Sequence, residues 1–276
     1  MKSKQTNKNA TVLILYHSGS GSTKTIGEIL RDTLRKNHQV ELISINQPFN
    51  YEDLLKFDLI VFGFPTYNFE PSASMMTFID EMPVLDSVKR AVVFTTCGMY
   101  SGNAVRIATT RLKEKKVFSC HNMQIKGPDS YIGLITPPKS PTYEKNVYSK
   151  IGKLVHKIKK SLENPVEEVD IPRSKWYVPF NVPVKVYTTR MTGKDIKRMH
   201  LIEDRCKGCN MCVNGCQRRC WQETDSLPTF NNSNCEFCLR CVHNCSEQAI
   251  VFSDKMKDNP RFDNRFYKKL KKLAEL

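Results

Sequence analysis

The chain has 276 residues, 40% of them hydrophobic and 26% charged, with a formal net charge of +15. That length exceeds one compact unit of average size, so two domains are expected, and the composition is that of a soluble globular protein. Residues 1–10 are polar and rich in Lys and Asn, and the first apolar run, Thr11–Tyr16, is too short for a secretory leader or a membrane span. A cytoplasmic protein with a disordered tail over residues 1–10 and no stable membrane insertion is therefore expected. Eleven cysteines in that setting argue against a disulfide framework. A basic surface suits nucleic acid, an anionic membrane or an acidic protein. The chain has neither an aromatic-interleaved basic motif nor a recognition-helix signature, so nucleic acid is set aside.

In chain order, short runs rich in Val, Ile and Phe at Thr11–Tyr16, Val40–Ile45, Asp58–Phe62 and Ala91–Thr96, with a weaker one at Asn122–Ile125, predict five strands. The stretches between and after them, Thr23–Asn37, Ser72–Glu81, Asn103–Lys115 and Tyr143–Glu163, carry helical spacing. Five βα units of this kind over residues 11–163 predict an α/β domain, a parallel sheet with helices on both faces. Ligands of such sheets sit beyond the C-terminal strand ends, which points to the loops after strands one, three and four. The first of these, Ser18-Gly19-Ser20-Gly21-Ser22-Thr23, follows His17 and opens a helix. Hydroxyls, glycines and a helix N-terminus suit a terminal phosphate; a plain Ser/Gly-rich loop has the same composition. It is neither a dinucleotide fingerprint, since Lys24 stands three after Gly21, nor a Walker A loop.

Residues 164–199 hold Pro165, Pro172, Pro179 and Pro183 and no sustained helical period. They predict an ordered, irregular connector across the domain interface, with Trp176, Tyr177, Val178 and Phe180 buried. Residues 200–252 form a cysteine-rich module: nine of the eleven cysteines lie between Cys206 and Cys245. Cys206, Cys209, Cys212 and Cys216 follow C-x2-C-x2-C-x3-C, and Cys235, Cys238, Cys241 and Cys245 repeat it with every member displaced by 29 residues. A repeat that faithful implies two copies of one unit about a pseudo-twofold axis. Three thiolates two residues apart wrap one cubane, and the fourth crosses to the other cluster. One [4Fe–4S] cluster is then expected on Cys206, Cys209, Cys212 and Cys245, and a second on Cys235, Cys238, Cys241 and Cys216. Zinc has no use for the third and fourth members of each run. Cys220, Cys97 and Cys120 read as small buried residues. Residues 253–276 are a basic tail ending in an amphipathic run, Phe266–Leu276, expected as a solvated helix capping the module.

The module resembles the bacterial two-cluster ferredoxins over residues 200–252, keeping their downstream apolar pair as Ala249-Ile250. It departs from them at Gln217 and Ser246, where the family has Pro; the added N–H groups are expected to shift cluster potentials. Ser18–Thr23 is similar to the phosphate loop of the flavodoxins, and two further loops agree in position. The resemblance implies a flavodoxin-like five-stranded sheet of order 2-1-3-4-5 with a small second α+β domain, and flavin mononucleotide as cofactor. It assigns Pro65, Thr66, Tyr67 and Asn68 to the ring, with Tyr67 stacking on it. Thr96, Cys97, Gly98, Met99, Tyr100, Gly102 and Asn103 fall at the ring edge, with Tyr100 over the other face. Together the parts, with Asn259-Pro260 after the module, resemble the fused flavodoxin–ferredoxin family found mostly in anaerobes. Bound cofactors would lower the net charge to about +9. The expected function is electron transfer between flavin, clusters and an acidic redox partner; the alternative is a flavin-dependent reductase of a small acceptor such as a quinone or nitro compound, fed through the clusters.

Overall fold

The computed structural model describes residues 9–131, 147–163, 169–262, 267–268 and 271. The expected tail at 1–8, the start of the helix expected from Tyr143 and most of the run from Phe266 lie outside these residues.

Five strands run parallel: β1 (Thr11–Tyr16), β2 (Gln39–Ser44), β3 (Leu59–Tyr67), β5 (Lys89–Cys97) and β6 (Val117–Lys126). Their order is β2-β1-β3-β5-β6, and the two-residue β4 (Glu70–Pro71) doubles back on the end of β3. The expected order 2-1-3-4-5 names the same five strands; β4 is the addition. Side chains alternate across the sheet. Val12, Ile14, Val61, Val92 and Phe94 face α1 (Ser22–Leu34) and α4 (Val147–Glu163). Leu13, Leu15, Ile60, Phe62 and Val93 face α2 (Ala73–Glu81) and α3 (Ala104–Glu114). Burial on both faces is why these runs are continuously apolar. Each such side chain contributes roughly 1.5–3 kcal/mol.

The connector differs from expectation. It forms a 17-residue helix, α5 (Val182–Arg198), with Pro183 in its first turn, where a missing N–H costs nothing. Its buried residues are Thr192 and Asp195, both polar, so the helix carries no apolar period to read. Trp176 and Phe180, expected in the interior, are 81% and 74% exposed.

The cysteine-rich module obeys its 29-residue repeat in three dimensions. Helix α6 (Met211–Gly215) recurs as α7 (Arg240–Asn244). Strand β7 (His200–Leu201) of the first half pairs with β10 (Ile250–Val251) of the second, and β8 (Trp221–Gln222) pairs with β9 (Thr229–Phe230). Left-handed backbone recurs at the same offset: Gly208 with Phe237, Asn210 with Leu239, Arg219 with Gln248. A core of Met199, Trp221, Phe237, Val242, Ile250 and Phe252 holds the halves together.

The described residues of the tail are not all solvated. Met256, Arg261, Phe262 and Tyr267 are buried. Tyr267 lies on Gly21 and hydrogen-bonds Ser20 at 3.0 Å, and Lys271 pairs with Asp32 at 3.2 Å, so this segment packs on the N-terminal domain. No helix among the described residues is long and apolar enough to cross a membrane.

Gly63 is paired with Phe94 across β3 and β5, and the Phe94 ring fills the place a side chain at Gly63 would take. Gly63→Ala is expected to lower stability by about 1–3 kcal/mol in urea unfolding; an unchanged midpoint would mean the ring can move aside.

Candidate functional site

A cavity of about 370 Å³ opens between the two domains at the C-terminal edge of the sheet. The loops after β1, β3 and β5 form one wall, with Gly127–Tyr131 after β6. The opposite wall comes from Tyr187, Thr188, Met191 and Thr192 of α5 and from Glu236, Phe237 and Leu239 of the second cysteine run.

The phosphate-loop end has the polar groups an anion needs. The hydroxyls of Ser18 and Ser22 are buried and have no hydrogen-bond partner among the described residues. No described side chain caps α1, so its first N–H groups are open to a ligand. The Thr23 hydroxyl is already engaged, 2.8 Å from that of Thr96. At Gly19 the backbone carbonyl of Cys238 and the Tyr67 hydroxyl occupy the space of a side chain, so only glycine fits there. Burial raises the Tyr67 phenol well above 10.0, with Cys238 and Glu236 adding to the effect. At the other end, Met99 and Tyr100 are 56% and 52% exposed, and the Tyr100 ring leans on Tyr177 at 5.6 Å. The Cys97 sulfur accepts from Gln124 at 3.2 Å and burial pushes its thiol up to about 11, which leaves it inert.

Glu236 ties the domains together. Its side chain, 5% exposed, accepts from the Ser74 backbone N–H at 2.9 Å and the Ser74 hydroxyl at 2.6 Å, at the N-terminus of α2. The His17 Nε2 stands 3.3 Å from the same carboxylate. Burial lowers the His17 pKa, so the imidazole is neutral and donates from Nε2. Arg240 donates to the Ser18 carbonyl at 3.2 Å and Gln217 to the Ile45 carbonyl at 3.3 Å. Gln217 therefore makes a cross-domain contact that Pro could not. Asn68 donates to Thr192 at 3.1 Å, and the Tyr131 hydroxyl to Asp195 at 2.7 Å, which fixes α5 over the cavity.

The eight motif cysteines fall into two neighbourhoods. Cys206, Cys209, Cys212 and Cys245 line a second cavity of about 400 Å³, on the other side of the Ser18–Gly21 loop, and Cys241 of the other run reaches its wall as well. Burial pushes Cys212 up to about 11, with Cys206 and Cys245 close enough to add to it. Cys235 and Cys216 act in the same way on Cys241, which burial raises to about 12, and Cys241 and Cys235 act on Cys238. The Cys220 thiol bonds Cys216 and holds that residue down to about 6. Backbone N–H groups aim at four sulfurs in matched pairs: Gly208 to Cys206 and Phe237 to Cys235, both 3.4 Å, then Cys220 to Cys216 and Ala249 to Cys245, both 3.3 Å. Among the described residues, no three His, Cys, Asp or Glu side chains stand close enough to hold a single metal ion.

Of the residues expected at the flavin, Ser18, Gly19, Ser20, Ser22, Thr23, Pro65, Thr66, Tyr67, Asn68, Thr96, Cys97, Gly98, Met99 and Tyr100 line the first cavity. Gly21 lies under Tyr267 and lines the second cavity. Gly102 packs on Phe69, and the Asn103 side chain bonds Ser174 and the Lys175 N–H, so both are outside the wall. Sequence reasoning missed Gly127–Tyr131, although these follow a strand and the switch-point rule covers them. It also missed Glu236, a charged residue inside a ligand run.

Residues 13–128 match the family model described as a flavodoxin domain. With the sheet order above, the N-terminal domain is a flavodoxin-like α/β domain. The match ends before the cysteine-rich module. Among solved structures, oxidised flavodoxin 1 from Bacillus cereus is 20% identical, covers 55% of this chain and 97% of its own, and scores 0.43 by TM-score. A flavodoxin from the domain Archaea is 19% identical, with 56% and 99% covered and a TM-score of 0.43. Two-electron reduced flavodoxin from Megasphaera elsdenii is 18% identical, with 54% and 98% covered and a TM-score of 0.42. Scores below 0.5 add nothing to the assignment. No curated protein matches the chain.

Glu236→Ala strands the Ser74 and His17 donors, and is expected to cost about 2–4 kcal/mol in urea unfolding; an unaltered midpoint would dismiss the latch. The unfolded chain protonates this imidazole below its ordinary 6.5 while the folded chain resists, so its contribution is present above 6.5 and is lost as pH falls. A His17→Asn variant is expected to show a shallower loss of stability on acidification.

Proposed function

We propose that the chain is an electron-transfer flavo-iron–sulfur protein, with flavin mononucleotide in the N-terminal domain, two [4Fe–4S] clusters in the cysteine-rich module, and an acidic redox partner. The observation that carries this reading is one cavity walled by the flavodoxin-like loops on one side and by the residues around Cys238 on the other. When bound, the flavin supplies one- or two-electron chemistry and each cluster single-electron chemistry.

The chain's own residues divide the work. Ser18 and Ser22 offer two unpartnered hydroxyls to a phosphate, and the start of α1 adds its N–H groups and dipole. Tyr67 and Tyr100 present rings to the cavity. Phe237 and Leu239, both buried, exclude water from its module side. The grouping of Cys216 with Cys235, Cys238 and Cys241, and of Cys206 with Cys209, Cys212 and Cys245, supports two interleaved ligand sets. N–H groups directed at sulfur favour the thiolate form a cluster requires. The first set lies against the flavin cavity through Cys238; Glu236 and Arg240 hold it there.

Anaerobically purified protein is expected to contain about eight iron atoms and one flavin per chain; four iron atoms, or zinc instead, would overturn the cluster assignment. Ser18→Ala with Ser22→Ala should weaken flavin binding at least about tenfold, since each hydroxyl loses a bond to a charged group. Fast cluster reduction without turnover of small acceptors is expected; saturable kinetics with one acceptor would make the protein a reductase.

A further inference from the structure

The mouth of the cavity carries an apolar surface that no part of the proposed electron transfer uses. Within twelve residues the chain exposes six large apolar side chains: Trp176 81%, Phe180 74%, Val182 55%, Val184 47%, Val186 44% and Tyr187 64%. The Trp176 ring touches Phe180 at 6.3 Å and Tyr177 at 6.1 Å, and Tyr177 meets Tyr100, so the patch is continuous with exposed Met99 and Tyr100. Tyr187, Met99 and Tyr100 also line the cavity. Soluble monomers rarely leave aromatics in contact with one another and flanked by exposed valines bare.

Two features say what covers it. The first is charge. Residues 173–198 contain seven Lys or Arg and a single acidic residue, Asp195, which is buried on Tyr131. Lys175 and Lys185 are engaged, with Ser101 and Gln124 and with Glu70. Arg173, Arg190, Lys194, Lys197 and Arg198 are exposed, and none forms an ion pair among the described residues. The second is shape. Phe180 projects from a short 3-10 turn, Pro179–Asn181, and Trp176 from the turn just before it, both ahead of α5. Projecting aromatics enter a deformable apolar phase at no cost in fit, whereas a protein partner would need a matching socket for each. Aromatic tips, valines and a basic flank are the composition of an interfacial membrane element, whose binding combines apolar burial with attraction to anionic lipid.

We propose that residues 176–187 seat the protein reversibly on an anionic lipid surface, with the mouth of the cavity turned toward the bilayer. Residues 176–187 include none expected to hold a cluster or a phosphate, and the patch meets the flavin assignment only at its edge, in Met99 and Tyr100.

The chain has two tryptophans, and Trp221 is 3% exposed, so a change of emission on binding reports Trp176. The purified full chain is mixed with vesicles of phosphatidylglycerol and phosphatidylcholine in equal parts, and with phosphatidylcholine alone. Expected are co-sedimentation with the anionic vesicles, a blue shift of tryptophan emission, and weak binding to the neutral ones. Phe180→Ser with Val184→Ser keeps the fluorophore and should reduce partitioning at least about tenfold, with flavin content and circular dichroism unchanged. Failure to sediment with anionic vesicles would overturn the proposal. So would binding that the double variant retains, which would show charge alone at work. A dimer in sedimentation equilibrium that the same variant splits, or an acidic protein whose binding it abolishes while vesicles are ignored, would assign the patch to a protein instead.

Discussion

A carboxylate taken out of water must find replacements for that water in the protein, and for Glu236 they come from the other domain. Ser74 gives two hydrogen bonds and the His17 Nε2 stands 3.3 Å away, all inside the flavodoxin-like domain. Withdrawing the module would leave a buried anion and three buried donors to be resolvated together. Glu236 sits directly after Cys235, so with Arg240 it holds the loop carrying Cys235, Cys238 and Cys241 against the other domain. The same loop supplies Phe237 and Leu239 to the cavity wall and the Cys238 carbonyl to Gly19. The shape of the cavity and its closeness to the second cysteine run are thus two results of one constraint.

The module shows a related economy. Each half lends one strand to each two-stranded sheet, so neither half can form its hydrogen bonds alone. Non-glycine residues in left-handed backbone cost roughly 1–2 kcal/mol each, yet the chain keeps Asn210, Arg219, Phe237, Leu239 and Gln248 there. At Phe237 that backbone brings the residue's own N–H onto Cys235; Arg219 and Gln248 do so for the residue that follows, aiming at Cys216 and Cys245. The left-handed positions recur in both halves because the same N–H-to-sulfur contacts recur there.

Much of this was legible in the sequence. Strands buried on both faces must be continuously apolar, so β1, β3 and β5 announced themselves. Only β4, two residues long, left no pattern. Helix α5 escaped notice because the residues it buries, Thr192 and Asp195, are polar and reach Asn68 and Tyr131 by hydrogen bonds that no periodicity encodes. Trp176 and Phe180 misled in the opposite sense, since large aromatics were assigned to an interior they do not occupy. Glu236 was invisible for a different reason. A single charge beside a cysteine says nothing about a partner 162 residues earlier.

The contact between Tyr267 and the Ser18–Thr23 loop joins residues 247 apart in Ser20 and Tyr267. Chains are made from the N-terminus, so the sheet, α1 and the bare loop exist long before Tyr267 and Lys271 emerge to close over them. During that interval the Ser18–Thr23 loop is open on the side Tyr267 later covers. Closure of this loop by Tyr267 and Lys271 thus waits on residues far downstream of the domain they close, and belongs to the two-domain chain, not to the first domain alone.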